Sequence, residues 1–236
     1  MDYFRSKPKT VGGRKIDIDN LLKNQIKKSA RTPVYDEQGY SWQRDKKKLM
    51  EPKVDQRYLE YLALNYSHLH AVIDRLASQT VREGWVLEPL VDNPSEDQKE
   101  FLKNILNDPT GGEADITGLE LLKAIIRDIE IFDDAWVSIV YDYMKDEFGT
   151  IIGRKIKQLW VEDPKKMRFK TDRYGRFQME ERFCPQCRNE GGGMACKNCG
   201  TQLVPIAYVH LDTVGDKQKE IPFARDEIIH FNKHAS

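Results

Sequence analysis

Cys184, Cys187, Cys196 and Cys199 are the only cysteines in the chain, and all fall in the stretch CPQCRNEGGGMACKNC. The pattern is C-x2-C, eight residues, C-x2-C. Two such knuckles can close a tetrahedral thiolate cage around one Zn²⁺, with Zn–S near ~2.3 Å. Gly191, Gly192 and Gly193 let the chain turn back between them. Pro185 suits the first tight turn, and Asn198 followed by Gly200 suits the second. Two disulfides or a redox dithiol are the competing readings. Disulfides fit an oxidising compartment, and no leader-like stretch opens the chain. A redox C-x-x-C needs no second copy nearby. A structural Zn²⁺ is therefore the expected cofactor.

Four thiolates fill a tetrahedral ion and leave no position for a substrate water. The expected role is a staple that closes a short insertion between two strands. A zinc ribbon can also present bases to nucleic acid. Here Arg188 and Lys197 lie inside the stretch, opposite Glu190, with Arg182 just outside.

The remaining chemistry-bearing residues form no familiar constellation. There is no phosphate loop of the G-x-x-x-x-G-K-[ST] type, no G-x-G-x-x-G after a strand, no H-E-x-x-H and no G-x-S-x-G. His68 and His70 stand two apart, so they do not share a helix face. Asp133 and Asp134 are adjacent and point apart, as suits a helix-to-strand junction. His230 alternates with Ile229 and Phe231 as a strand residue, and His210 and His234 are scattered. No catalytic residue is assigned, and the expectation is a protein without enzymatic chemistry.

The chain has 236 residues, 39% hydrophobic and 32% charged, with zero net charge. That balance is polar for an enzyme and suits a subunit that buries surface against neighbours. Lys and Arg outnumber Asp and Glu 13 to 6 over residues 1–50 and 16 to 11 over 151–236, whereas acids lead 21 to 9 over 51–150. Segregated charge suits side-by-side packing of complementary parts more than a DNA-coated surface. No apolar run approaches the ~18 residues of a membrane span.

Residues 1–50 are expected to form an extended, flexible arm. The stretch 5–15 is basic and lacks a core, and 16–28 has one amphipathic face (Ile18, Leu21, Leu22, Ile26). A polar loop over 36–48 carries Tyr40, Trp42 and Lys46–Lys48, a docking arm or a grip on nucleic acid. From Asp55 to Glu83 the apolar spacing is helical, with a break at Asn65–Ser67. Gly84 ends it, and 85–90 alternates like a strand. Helices follow over 92–107 and 119–136, the second with Leu119, Leu122, Ile125, Ile126 and Ile129 as its buried stripe. The period then changes to two. Strands are expected at 135–144, 150–162, 167–170, from Arg176 after a turn at Asp172–Gly175, at 203–211 and within 221–236. The fold class is α+β, with long helices followed by an antiparallel β meander and a small four-cysteine zinc-binding insertion at 183–201.

The order of four segments resembles the portal protein of tailed viruses. They are YSHLHAVIDRLASQTVREGWVLEP (66–89), LLKAIIRDIEIFDDAWVSIVYDYMKDEFGTI (121–151), LWVEDPKKMRFKTDRYGRF (159–177) and IPFARDEIIHFNKHAS (221–236). In the last, Glu227, Ile228, Ile229, His230, Phe231 and Ser236 are similar to that family's acid, two aliphatics, His-Phe and following Ser. The likeness covers 55–236 apart from the cysteine insertion, which departs from the common pattern. It implies that 51–236 is a wing-like α+β domain, with the family's stem, clip and crown outside this chain. It further implies a ring of about twelve subunits at one capsid vertex, with heterologous interfaces that close. Double-stranded DNA would pass through the channel in packaging and ejection. The partners implied are the major capsid protein, the terminase motor, and the head-completion, adaptor and tail proteins. The implied location is the virion, after assembly in the host cytoplasm, with no membrane. DNA-contacting residues are not assigned. A zinc-ribbon nucleic-acid-binding protein is the alternative.

Overall fold

The computed structural model describes residues 10–11, 14–15, 40–41, 49–52, 54–88, 95–147, 151–171, 181–214 and 217–233. The expected helix at 16–28, the Asp172–Gly175 turn, the strand from Arg176, Trp42, Lys46–Lys48, His234 and Ser236 lie outside them.

Helix α1 (Gln56–Asn65) starts at Asp55, whose carboxylate accepts the Arg57 N–H at 3.0 Å. Tyr66 takes an extended conformation, so the chain breaks there and restarts as α2 (Ser67–Thr80). Gly84, at φ +75°, follows its last turn. Helix α3 (Glu96–Asn107) carries Glu96 and Asp97 in its first turn, where negative charge meets the positive end of the helix dipole. Helix α4 (Gly118–Phe132) opens with a capping box, in which Thr117 Oγ1 accepts the Glu120 N–H and Glu120 Oε2 accepts the Thr117 N–H at 2.8 Å. A Cβ at Gly118 would stand 1.6 Å from the Leu106 carbonyl oxygen, so only glycine lets α4 start against the end of α3. Asp133 ends α4 in the left-handed region at φ +61°.

The strands are all paired antiparallel. Strands β1 (Thr10–Val11) and β2 (Arg14–Lys15) pair with each other. Strands β3 (Tyr40–Ser41), β4 (Leu49–Pro52), β7 (Met167–Lys170), β11 (Tyr208–Val214) and β12 (Lys217–Phe223) form a sheet ordered β12-β11-β7-β4-β3. Strands β5 (Asp134–Lys145), β6 (Ile151–Glu162) and β13 (Ile228–Asn232) form a second, ordered β13-β5-β6. Strands β8 (Arg182–Phe183), β9 (Glu190–Gly191) and β10 (Val204–Pro205) form a third, ordered β10-β8-β9.

Alternation along β5 explains how these pieces stack. Ala135, Val137 and Ile139 face α3 and α4, against Ile105, Leu121 and Ile125. Trp136 faces the five-stranded sheet and packs with Met50, Met167, Phe169, Tyr208 and Ile228. The far side of that sheet buries Leu49 and Val209 against Phe183, Ile206 and Ala224, which seats the cysteine module. The order is helices, small sheet, large sheet, cysteine module.

The α+β class and the antiparallel pairing match the expectation, and several details do not. The described helices run 10, 14, 12 and 15 residues, so none of them is long. The strands form separate sheets rather than one meander, because β13 returns to pair with β5 and makes it the centre of its sheet. Residues 85–88 join no sheet, and Val86 is 83% exposed. Strand 203–211 is interrupted at Ile206 and Ala207, whose N–H groups go to Glu181 and Phe223. Tyr40–Ser41, expected in a loop, and Thr10–Val11, expected without regular structure, pair as strands. Helix α4 ends four residues before 136, and Leu121, Ile125 and Phe132 are its buried apolar side chains. Leu122 and Ile129 are half-buried, and Leu119 is exposed. Ile126 is half-buried as well.

Asp128 on α4 has a consequence for stability. Burial raises its carboxyl to about 7, with repulsion from Asp163 adding and Arg127 and Lys165 opposing. An unfolded Asp titrates near ~3.9. The folded state thus binds more protons in between, and this contribution to stability is full below the unfolded value and lost as pH rises through about 7. Asp128→Asn is therefore expected to stabilise more at pH ~8.5 than at pH ~5, measured as the change in denaturant midpoint. An equal change at both pH values refutes it.

Candidate metal centre

Two six-residue hairpin tips carry the cysteines. The β8–β9 pairing of Phe183 with Glu190 encloses 184–189, and the bridge between Ala195 and Gln202 encloses 196–201. Inside each tip the backbone repeats one pattern. The Cys184 N–H donates to Asn189 O at 2.8 Å, and the Cys196 N–H to Thr201 O at 2.7 Å. The Arg188 N–H donates to Cys184 O at 2.8 Å, and the Gly200 N–H to Cys196 O at 2.9 Å. Arg188 and Gly200 both sit in the left-handed region, at φ +57° and +73°. The Cys187 N–H also points at Cys184 Sγ, 3.3 Å away.

All four sulfurs lie within 4.8 Å of one another, and none is in a disulfide. Cys184 Sγ and Cys199 Sγ are 3.4 Å apart. Metal–sulfur bonds near ~2.3 Å in a tetrahedron require edges of about 3.8 Å, a value the observed spacings bracket. The four cysteines can hold one metal ion. Cys184 and Cys196 are buried, and Leu203 closes the cluster on the protein side. Phe183, fully buried one residue before Cys184, anchors the module in the core.

Hydrogen bonding with the Thr201 side chain and backbone holds the Cys199 thiol down to about 6. Hydrogen bonding to Cys199 pushes Cys187 up to about 12, and burial pushes Cys184 up. One thiolate in such a cluster resists a second until a cation supplies charge.

Thr201 is not singled out by the cysteine pattern, and Arg188 stands out there only as a possible nucleic-acid contact. The Thr201 hydroxyl oxygen lies 3.1 Å from Cys199 Sγ and 3.2 Å from Gln186 Oε1. Arg188 turns inward to the buried Glu227, 2.8 Å away, rather than out as a ribbon base. Aligning CPQCRN with CKNCGT shows the signal, an arginine where the second knuckle has glycine.

The other polar residues noted from the sequence form separate pairs rather than one cluster. Asp133 caps α4, while Asp134 is buried and 2.7 Å from His230 Nε2. His230 stacks on Trp136 with ring centroids 3.9 Å apart. His210 Nδ1 lies 2.7 Å from Glu162 Oε2, and Ser138 Oγ donates to Glu162 Oε1 at 2.6 Å. Here the carboxylate stands between serine and histidine, so the order is not that of a nucleophile activated by its base. His70 pairs with Asp74 one turn on, apart from the exposed His68.

No protein-family model matches the chain, and no curated protein matches it. Among the described residues, no helix is long and apolar enough to cross a membrane.

Proposed function

We propose that this chain is the wing part of a portal subunit of a tailed virus, one of a closed ring at a capsid vertex, and that its four cysteines hold a structural Zn²⁺. The observation that carries the ring reading is on α2, within the first of the segments that resemble portal proteins. Val72, Leu76, Leu69, Ile73 and Ala77 form one continuous apolar arc around that helix. Ile73 and Ala77 are buried. Leu69, Val72 and Leu76 are 42%, 55% and 44% exposed, which leaves half of that arc open on the surface of the helix. A neighbouring copy is the occupant that a closed ring supplies. Zn²⁺ fits because four buried or half-buried thiolates select a soft, tetrahedral ion. In this reading the zinc module is a staple, DNA passes through the ring, and the motor, head-completion and tail proteins dock on it. Arg188 is engaged inward, which leaves Lys197 as the exposed base between the cysteines and disfavours the nucleic-acid ribbon.

Native mass spectrometry and negative-stain imaging test the ring. Annular particles of about twelve copies are expected. Leu76→Glu is expected to shift these to smaller species while the thermal midpoint of the subunit stays unchanged. A chain that remains monomeric and binds duplex DNA at physiological salt with nanomolar affinity overturns the proposal in favour of the ribbon.

A further inference from the structure

The first knuckle uses a residue that its backbone disfavours. Gly200 serves the left-handed position of the second knuckle without penalty, whereas Arg188 carries a Cβ there. The reason is in its side chain. Arg188 Nη1 lies 2.8 Å from Glu227 Oε2 and donates to Pro222 O at 3.1 Å. The guanidinium stands over the rings of Phe183 and Phe223, 5.5 and 5.2 Å from their centroids.

Glu227 is 1% exposed and closes the 3-10 turn Arg225–Glu227. Its Oε2 also accepts the Ala224 N–H at 2.9 Å. Its Oε1 meets no partner among the described residues, so Arg188 is the cation that the buried carboxylate has there. That turn leads directly into β13, where Ile228 pairs with Ser138 of the central strand.

We infer that the Arg188–Glu227 pair is the outer shell of the metal centre and couples metal occupancy to the order of strand β13. The inference rests on the metal reading above. When an ion gathers Cys184 and Cys187, the knuckle closes and fixes the Arg188 backbone, which sets the guanidinium on Glu227. When the ion leaves, the knuckle opens, Arg188 is no longer held, and the buried carboxylate destabilises its own turn. Linkage makes the effect reciprocal, so a firm turn tightens metal binding by the same factor.

Hydrogen–deuterium exchange on the full chain, zinc-loaded and chelator-stripped, tests this, with zinc stoichiometry by elemental analysis and affinity by chelator competition. In the wild type, stripping is expected to raise exchange over 184–201 and also over 223–232. In Arg188→Gly, whose backbone suits the knuckle, one zinc still binds, about 10-fold more weakly. Stripping that variant then changes 184–201 alone. Glu227→Gln, which keeps a hydrogen-bonding side chain but not the charge, is expected to uncouple the two regions likewise. If the wild type holds no stoichiometric zinc, the metal reading falls and the coupling with it. If zinc binds one to one and exchange over 223–232 is the same with and without it, the coupling alone falls.

Discussion

Replacing Cys184 by serine is expected to abolish stoichiometric zinc and unfold the module from 183 to 205. Cys184 is fully buried, its sulfur accepts the Cys187 N–H, and it sits next to Phe183, the anchor of the module in the core. The third sheet has only two residues per strand and a small core of cysteines and Leu203. Without an ion, little apolar burial offsets the entropy of ordering this segment. In isolated zinc modules the ion contributes on the order of 10–16 kcal/mol, so the fold there is inseparable from the metal. Elemental analysis and proteolysis check the result. Loss of one zinc per chain with new cleavage inside 184–203 is expected. A Cys184→Ser protein that retains zinc and resists protease refutes the staple.

Trp136→Ala is expected to cost about 3–5 kcal/mol, the range for removing a large aromatic from a core. Trp136 is 1% exposed and lies where the two larger sheets meet. Its ring meets Phe169 and Tyr208 edge-on at centroid distances of 5.0 and 5.5 Å, and His230 stacks on it. Deleting it leaves a cavity and removes the stacking partner of His230, whose Nε2 contacts the buried Asp134. Backbone pairing of β5 with β13 and β6 does not need the ring, so the variant folds less stably rather than differently. Equilibrium denaturation is the check. A lower midpoint with an unchanged slope is expected. A loss below ~1 kcal/mol means that neighbours refill the space. Zinc content stays at the wild-type level, because the cysteine module packs on the opposite face of the large sheet.

The convergence of the cysteines was legible because it depends on local spacing. A C-x2-C pair sets two sulfurs on one tight turn whatever surrounds it, and the glycines between the pairs let the turns face each other. The break at Asn65–Ser67, the start of α4 and the switch to period two after α4 were legible for the same reason. Caps, breakers and periodicity act over a few residues.

Tertiary packing decided what local pattern left ambiguous. Helix α4 has apolar residues around much of its circumference, so the stripe that contains Ile125 could take in Ile126 or Leu121. The sheet beneath it chose Leu121 and Ile125. Residues 85–88 alternate like a strand but join no sheet, because alternation alone supplies no partner, whereas β13 pairs with β5. That return of β13 from about ninety residues away is invisible to periodicity, because loop closure over such a distance is set by the whole core. Arg188 shows the same division. Its place in the knuckle follows from the cysteine spacing, while its partner Glu227 lies far along the chain. Only the packing of the module on the large sheet brings that buried carboxylate within 2.8 Å.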